Sequence, residues 1–152
     1  MAVKPIPEGY HSVTPSMNVQ GAAKFDDFVK KTFAAEERMR IPGPNGAVMH
    51  AELKIGDSIV MVSEAMRELA TKASLYVYVK DVESTYQQAL AAGASSLSEP
   101  TNMFWGDRVG RVRDAFGNSW GIATHIEEVS PQEMTKRAEE FMKQHAKEAE
   151  AA

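Results

Sequence analysis

The chain has 152 residues, 43% hydrophobic and 25% charged, which is enough to bury one real core as one domain. A net charge of -4 leaves no electrostatic footprint for nucleic acid, and zero cysteines exclude disulfides, thiolate metal sites and a cysteine nucleophile together. No apolar run approaches the roughly 18 residues of a membrane span, and residues 1–10 hold no signal-peptide core. The expectation is a cytoplasmic protein with no membrane and no nucleic-acid partner.

Residues 1–9, with Pro5, Pro7 and Gly9, read as an arm. HSVTPSMNV (11–19) alternates apolar Val13, Met17 and Val19 with polar Thr14, Ser16 and Asn18, which predicts a half-buried strand. Pro15 makes it an edge or a bulged strand. AAKFDDFVKKTF puts Ala22, Phe25, Phe28, Val29 and Phe33 on one helical stripe. ERMRIPGPNG predicts a strand running into a loop. AVMHAELKI and SIVMV then form a hairpin across Gly56-Asp57. SLYVYV is a further strand. DVESTYQQALAAG is a helix capped by Asp81 and stopped by Gly93. Two or three strands follow, including the two arms of GDRVGRVRDAFGNSWGIATH (106–125) around a turn made by Asp114, Gly117 and Asn118. Ser130-Pro131-Gln132-Glu133 is a capping box that opens a terminal helix.

This order repeats. Strand, helix and three strands over about 11–64 recur over about 72–126, with Thr14 falling on Ser74 and Val19 on Val79. The domain is thus 10–129, between the arm and a helix over 130–152. The segments YHSVTP (10–15), FVKKTFAAEERMR (28–40), PGPNGAVMHAELKIGDSIVM (42–61), GDRVG (106–110), FGNSWGIATH (116–125) and SPQEM (130–134) resemble the vicinal-oxygen-chelate superfamily of glyoxalases, bleomycin-resistance proteins and extradiol dioxygenases. They resemble its PhnB-like branch most, over about 9–135. The resemblance implies an α+β fold of two tandem βαβββ modules, whose curved sheets make an open barrel around a small-molecule cavity.

In enzymes of that superfamily four side chains, usually histidine and glutamate, hold a divalent metal. Carried onto this chain, those positions are Thr14, Val60 (or Met61 if the hairpin register slips by one), Ser74 and Gly121. None is a competent ligand for a hard or borderline ion. The resemblance therefore implies neither metal nor other cofactor.

Strand alternation supplies the remaining candidates. His50, Glu52 and Lys54 share a face, while Met49, Ala51, Leu53 and Ile55 take the side that packs on helices. Ser74, Tyr76 and Tyr78 face the cavity with Thr14 and Ser16, leaving Leu75, Val77 and Val79 for the core. Phe104 and Trp105 stand on the loop that the resemblance brings to the cavity, with Arg108 at its rim as a partner for an anion. Arg111 and Arg113 alternate with Val112 and read as a solvated or interface face, and His125 as a backbone cap or solvent contact.

Two function classes fit. One is a binding protein holding a small, largely apolar and planar organic ligand, with an acidic group for Arg108. The other is an enzyme of lyase, isomerase or dioxygenase class. It would use His50 as base with Glu52, or a rebuilt metal site. Missing ligands favour binding. A homodimer is expected, because each module supplies one thin sheet layer. The terminal helix also carries an apolar stripe of Met134, Ala138, Phe141, Met142 and Ala149.

Overall fold

A computed structural model describes residues 2–152. Eight strands and three helices follow the order β1 (Ser16–Val19), α1 (Ala22–Phe33), β2 (Glu36–Pro42), β3 (Val48–Ile55), β4 (Ser58–Glu64), β5 (Ser74–Tyr78), α2 (Val82–Ala91), β6 (Ser95–Asn102), β7 (Asp107–Arg113), β8 (Ser119–His125) and α3 (Pro131–Ala151). The strands make two four-stranded sheets, β1-β4-β3-β2 and β5-β8-β7-β6, each with one parallel pair. These are the two tandem βαβββ modules, followed by a terminal helix. No helix among the described residues is long and apolar enough to cross a membrane.

Two local expectations change. The first strand begins at Ser16, not at 11. Proline has no N–H to give a ladder, and Thr14 Oγ1 donates to His11 O (2.9 Å) in a turn instead. In β3 the inner face includes Val48, buried, while Met49 is exposed. A register shift opposite Pro42 flips the parity there.

Helices α1 and α2 and the inner faces of both sheets share one core. Trp120 of β8 joins it to the first module: its ring lies 5.1 Å from Phe33 and 6.2 Å from Phe25 and Phe28 of α1. Its Nε1 donates to Asp114 Oδ2 (2.8 Å). Asp114 also accepts from the Phe116 and Asn118 backbones (2.9 Å each), and Asn118 Oδ1 accepts from Ala73 N at the entry to β5. The predicted turn therefore also anchors the start of β5. Because the helix-packed faces meet in this core, the opposite faces of the sheets turn outward. One chain builds no closed barrel.

Helix α3 starts as its sequence predicts, with Ser130 Oγ accepting from Glu133 N. Arg137 then clamps it down, donating to both oxygens of Glu127 (2.9 and 2.7 Å), to Glu133 and to Phe104 O. Phe141 packs 5.2 Å from Phe104, whereas Met142 is exposed.

Candidate functional site

Pairing registers order the open face of the second sheet into rows across β5, β8, β7 and β6. The rows are Tyr78–Ala123–Val109–Thr101, Tyr76–Gly121–Arg111–Ser98 and Ser74–Ser119–Arg113–Ser95, with His125 opposite Asp107 at one end. Asp107, 2% exposed, is the hub of that end. Its Oδ2 accepts from Tyr76 OH (2.7 Å), Tyr78 OH (3.0 Å) and Trp105 Nε1 (3.1 Å), and its Oδ1 lies 2.8 Å from His125 Nδ1.

Burial pushes the Asp107 carboxyl up, but hydrogen bonds from His125, Tyr76, Tyr78 and Trp105 outweigh it and hold it below the usual carboxylate range. The bond to Asp107 raises the His125 imidazole above its ordinary value, and Glu128, 3.3 Å from Nε2, adds to this. Burial, with Asp107 adding, pushes the Tyr76 phenol up to about 12. Both tyrosines thus stay protonated with their hydrogens on Asp107.

Gly121 has a packing reason. A Cβ there would stand 2.8 Å from Tyr76 Cδ2, so the Tyr76 ring fills the space a side chain would need. A phenol ring thus occupies the room that the missing side chain leaves. The 104–106 loop is fixed in the same way. Gly106 sits at φ 98°, and a Cβ would lie 2.2 Å from Glu127 O. Trp105 also meets Tyr76 OH (3.3 Å), and its ring stands edge-on to Phe104 at 5.1 Å.

The first sheet gathers a second group. Glu52 accepts from Tyr10 OH and lies 3.6 Å from His50 Nε2, while His50 Nδ1 is 3.0 Å from Ser63 Oγ. Burial together with Glu52 pushes the Tyr10 phenol up to about 12. Ser16 faces this group across Met61, its partner on β4. Met61 shares that face, and Val60, 4% exposed, belongs to the core.

The structure therefore divides the expected lining. Tyr76, Tyr78, Phe104 and Trp105 gather around Asp107. Ser16, His50 and Glu52 belong to the other sheet, and Thr14 stands outside the strand. Arg108 is not at the rim: alternation along β7 turns it to the helix side, where Nε donates to Glu83 Oε1 (2.5 Å) and Nη1 to Asn102 Oδ1. Thr14, Met61, Ser74 and Gly121 give no donor set for a divalent ion. Among the described residues no three histidine or carboxylate side chains converge as one would require. Sequence reasoning missed Asp107 and His125 as partners.

Two curved sheets, each backed by its own helix and each with one face left open, define a fold of duplicated βαβββ modules. The chain belongs to the Glyoxalase/Bleomycin resistance protein/Dioxygenase superfamily, whose sequence profile matches residues 9–122. Uncharacterized protein Mb0911c of Mycobacterium bovis is 33% identical over 135 residues, covering 81% of this chain and 89% of that protein. Among solved structures, TioX from Micromonospora sp. ML1 is similar at TM-score 0.61 and 25% identity, covering 76% of this chain and 100% of TioX. A Bacillus cereus PhnB protein shares the fold at TM-score 0.59 and 17% identity, covering 75% of this chain and 99% of its own. TnmS3, an antibiotic binding protein from Streptomyces sp. CB03234, does so at TM-score 0.59 and 20% identity, covering 82% and 98%.

Proposed function

We propose that this protein binds a small, largely apolar organic molecule against the open sheet faces, without a metal and without converting it. The observation that carries the reading is the Tyr76 ring packed over Gly121, one of the four positions where the resemblance would put a metal ligand, the others being Thr14, Val60 or Met61, and Ser74. Aromatic walls with a few convergent polar groups suit such a ligand. TnmS3, described as an antibiotic binding protein, shares the fold and lends the class support.

Protein purified without chelator tests this by elemental analysis and native mass spectrometry. The expected result is an organic adduct, with nickel, zinc, iron and manganese all far below one ion per chain. Stoichiometric metal lost on His50→Ala would overturn the reading. It would favour the alternative, an enzyme using His50 and Glu52 or a rebuilt metal site. Against that alternative, both His50 nitrogens already have neighbours in Ser63 and Glu52.

A homodimer completes the proposal. Tyr78 is 63% exposed, and Met39 and Ile41, register partners of Glu52 and His50, are about as open as Tyr76. Such apolar exposure on two outward faces suits a second copy, which would lay one module's open face against the other's and enclose the ligand. Light scattering at micromolar concentration is expected to give twice the chain mass; a monomeric mass would overturn the pairing.

A further inference from the structure

We propose that Arg111, supported by Arg113, is the anion-recognising residue of this site, and that its ligand is a planar aromatic acid whose carboxylate pairs with Arg111 while its ring lies against Tyr76. The inference rests on the binding reading above and specifies its ligand class.

Alternation along β7 separates the arginines that crowd this hairpin. Arg108 faces helix α2 and is consumed by Glu83. Arg111 and Arg113 stand on the open face, exposed, and among the described residues neither has a hydrogen bond or ion pair. That freedom contrasts with Arg40, Arg108 and Arg137, each of which is engaged by a glutamate.

The surroundings of the pair point to an anion. Across the strands Arg111 has Ser98 on one side and Gly121 on the other, and Arg113 has Ser95 and Ser119. These rows offer hydroxyls and no carboxylate. At the far end of the face the Asp107 carboxylate is buried and bonded to four donors, one of them the His125 imidazole, whose proton offsets its charge.

Gly121 then decides the shape. It lies between Arg111 and Tyr76 in one row and carries no side chain, so nothing on β8 stands between the guanidinium and the phenol ring. The Tyr76 ring already leans over Gly121. A flat acid can lie along this row with its ring on Tyr76 and both carboxylate oxygens on the guanidinium fork, a geometry that arginine favours and lysine does not.

The test uses 2-naphthoate and its neutral analogue 2-naphthamide, titrated calorimetrically against wild type, Arg111→Gln, Arg113→Gln and Arg108→Gln. Wild type is expected to bind the acid at least about tenfold more tightly than the amide, the scale of one charge-assisted hydrogen bond. Arg111→Gln should erase that preference while leaving amide binding in place, and Arg113→Gln should reduce it in part. Arg108→Gln should change neither. Equal binding of acid and amide by wild type, or an acid preference that survives Arg111→Gln or falls with Arg108→Gln, overturns the assignment and leaves the binding reading standing. If neither compound binds wild type, the aromatic-acid class falls, and absence of any organic adduct in the purified protein removes the binding reading with it.

Discussion

Trp120→Ala is expected to lower the free energy of unfolding by about 3–5 kcal/mol, the range for emptying a large aromatic site in a packed core. Trp120 is 1% exposed and sits among three phenylalanines of the other module's helix. Its removal also withdraws the indole donor from Asp114, which keeps its bonds from Phe116 and Asn118. A domain of this kind holds about 5–15 kcal/mol in all, so the variant stands near the edge of folding. Trp120→Phe keeps most of the ring volume and should cost clearly less. Urea denaturation followed by circular dichroism measures both. A loss below about 1 kcal/mol for the alanine variant would mean that the modules do not share one core through this ring. The consequence for function is geometric: Trp120 fixes which faces of the sheets are inside, and hence that the ligand-facing sides turn outward.

Much of this was legible in the chain, because alternation and helical stripes are local. The repeat, the hairpin at Gly56-Asp57, the capping box at Ser130 and the placing of Tyr76 and Tyr78 on the face away from the helices all follow from period and turn chemistry. What was lost lay where a local pattern breaks or a contact is made at a distance. Pro15 ended a strand that alternation alone would extend to His11, and the Met49 bulge exchanged it with Val48 on the inner face. Arg108 was grouped with its loop neighbours, although strict parity along GDRVGRVR sets it apart from Asp107, Arg111 and Arg113. The Asp107–His125 pair had a readable signal. Stepping outward one residue at a time from the Asp114 and Asn118 ends of the turn brings Asp107 opposite His125. The convergence of Tyr76, Tyr78 and Trp105 on that carboxylate had none, since it joins a parallel strand and a loop to the hairpin.

Asp107→Ala is the second large effect, with an expected cost of about 1–3 kcal/mol near pH 5.5 from orphaned donors around a lost carboxylate. Its pH dependence follows from the shifted groups. Asp107 titrates below the ordinary carboxylate value of about 3.9, so its stabilisation is complete above that value and is lost as pH falls through its folded pKa. His125 titrates above the ordinary value of about 6.5, so its share is complete below 6.5 and is lost as pH rises through its folded pKa. The gap between wild type and variant should therefore be widest from about pH 4 to 6.5 and narrow on both sides. Urea midpoints at pH 3, 5.5 and 9 measure the gap, and NMR titration of His125 measures its cause. In Asp107→Ala the imidazole should titrate lower than in wild type. Ligand affinity should fall as well, because Tyr76 and Trp105 lose the acceptor that holds them. An unchanged His125 titration, or a gap that stays constant with pH, would show that Asp107 does not organise this face.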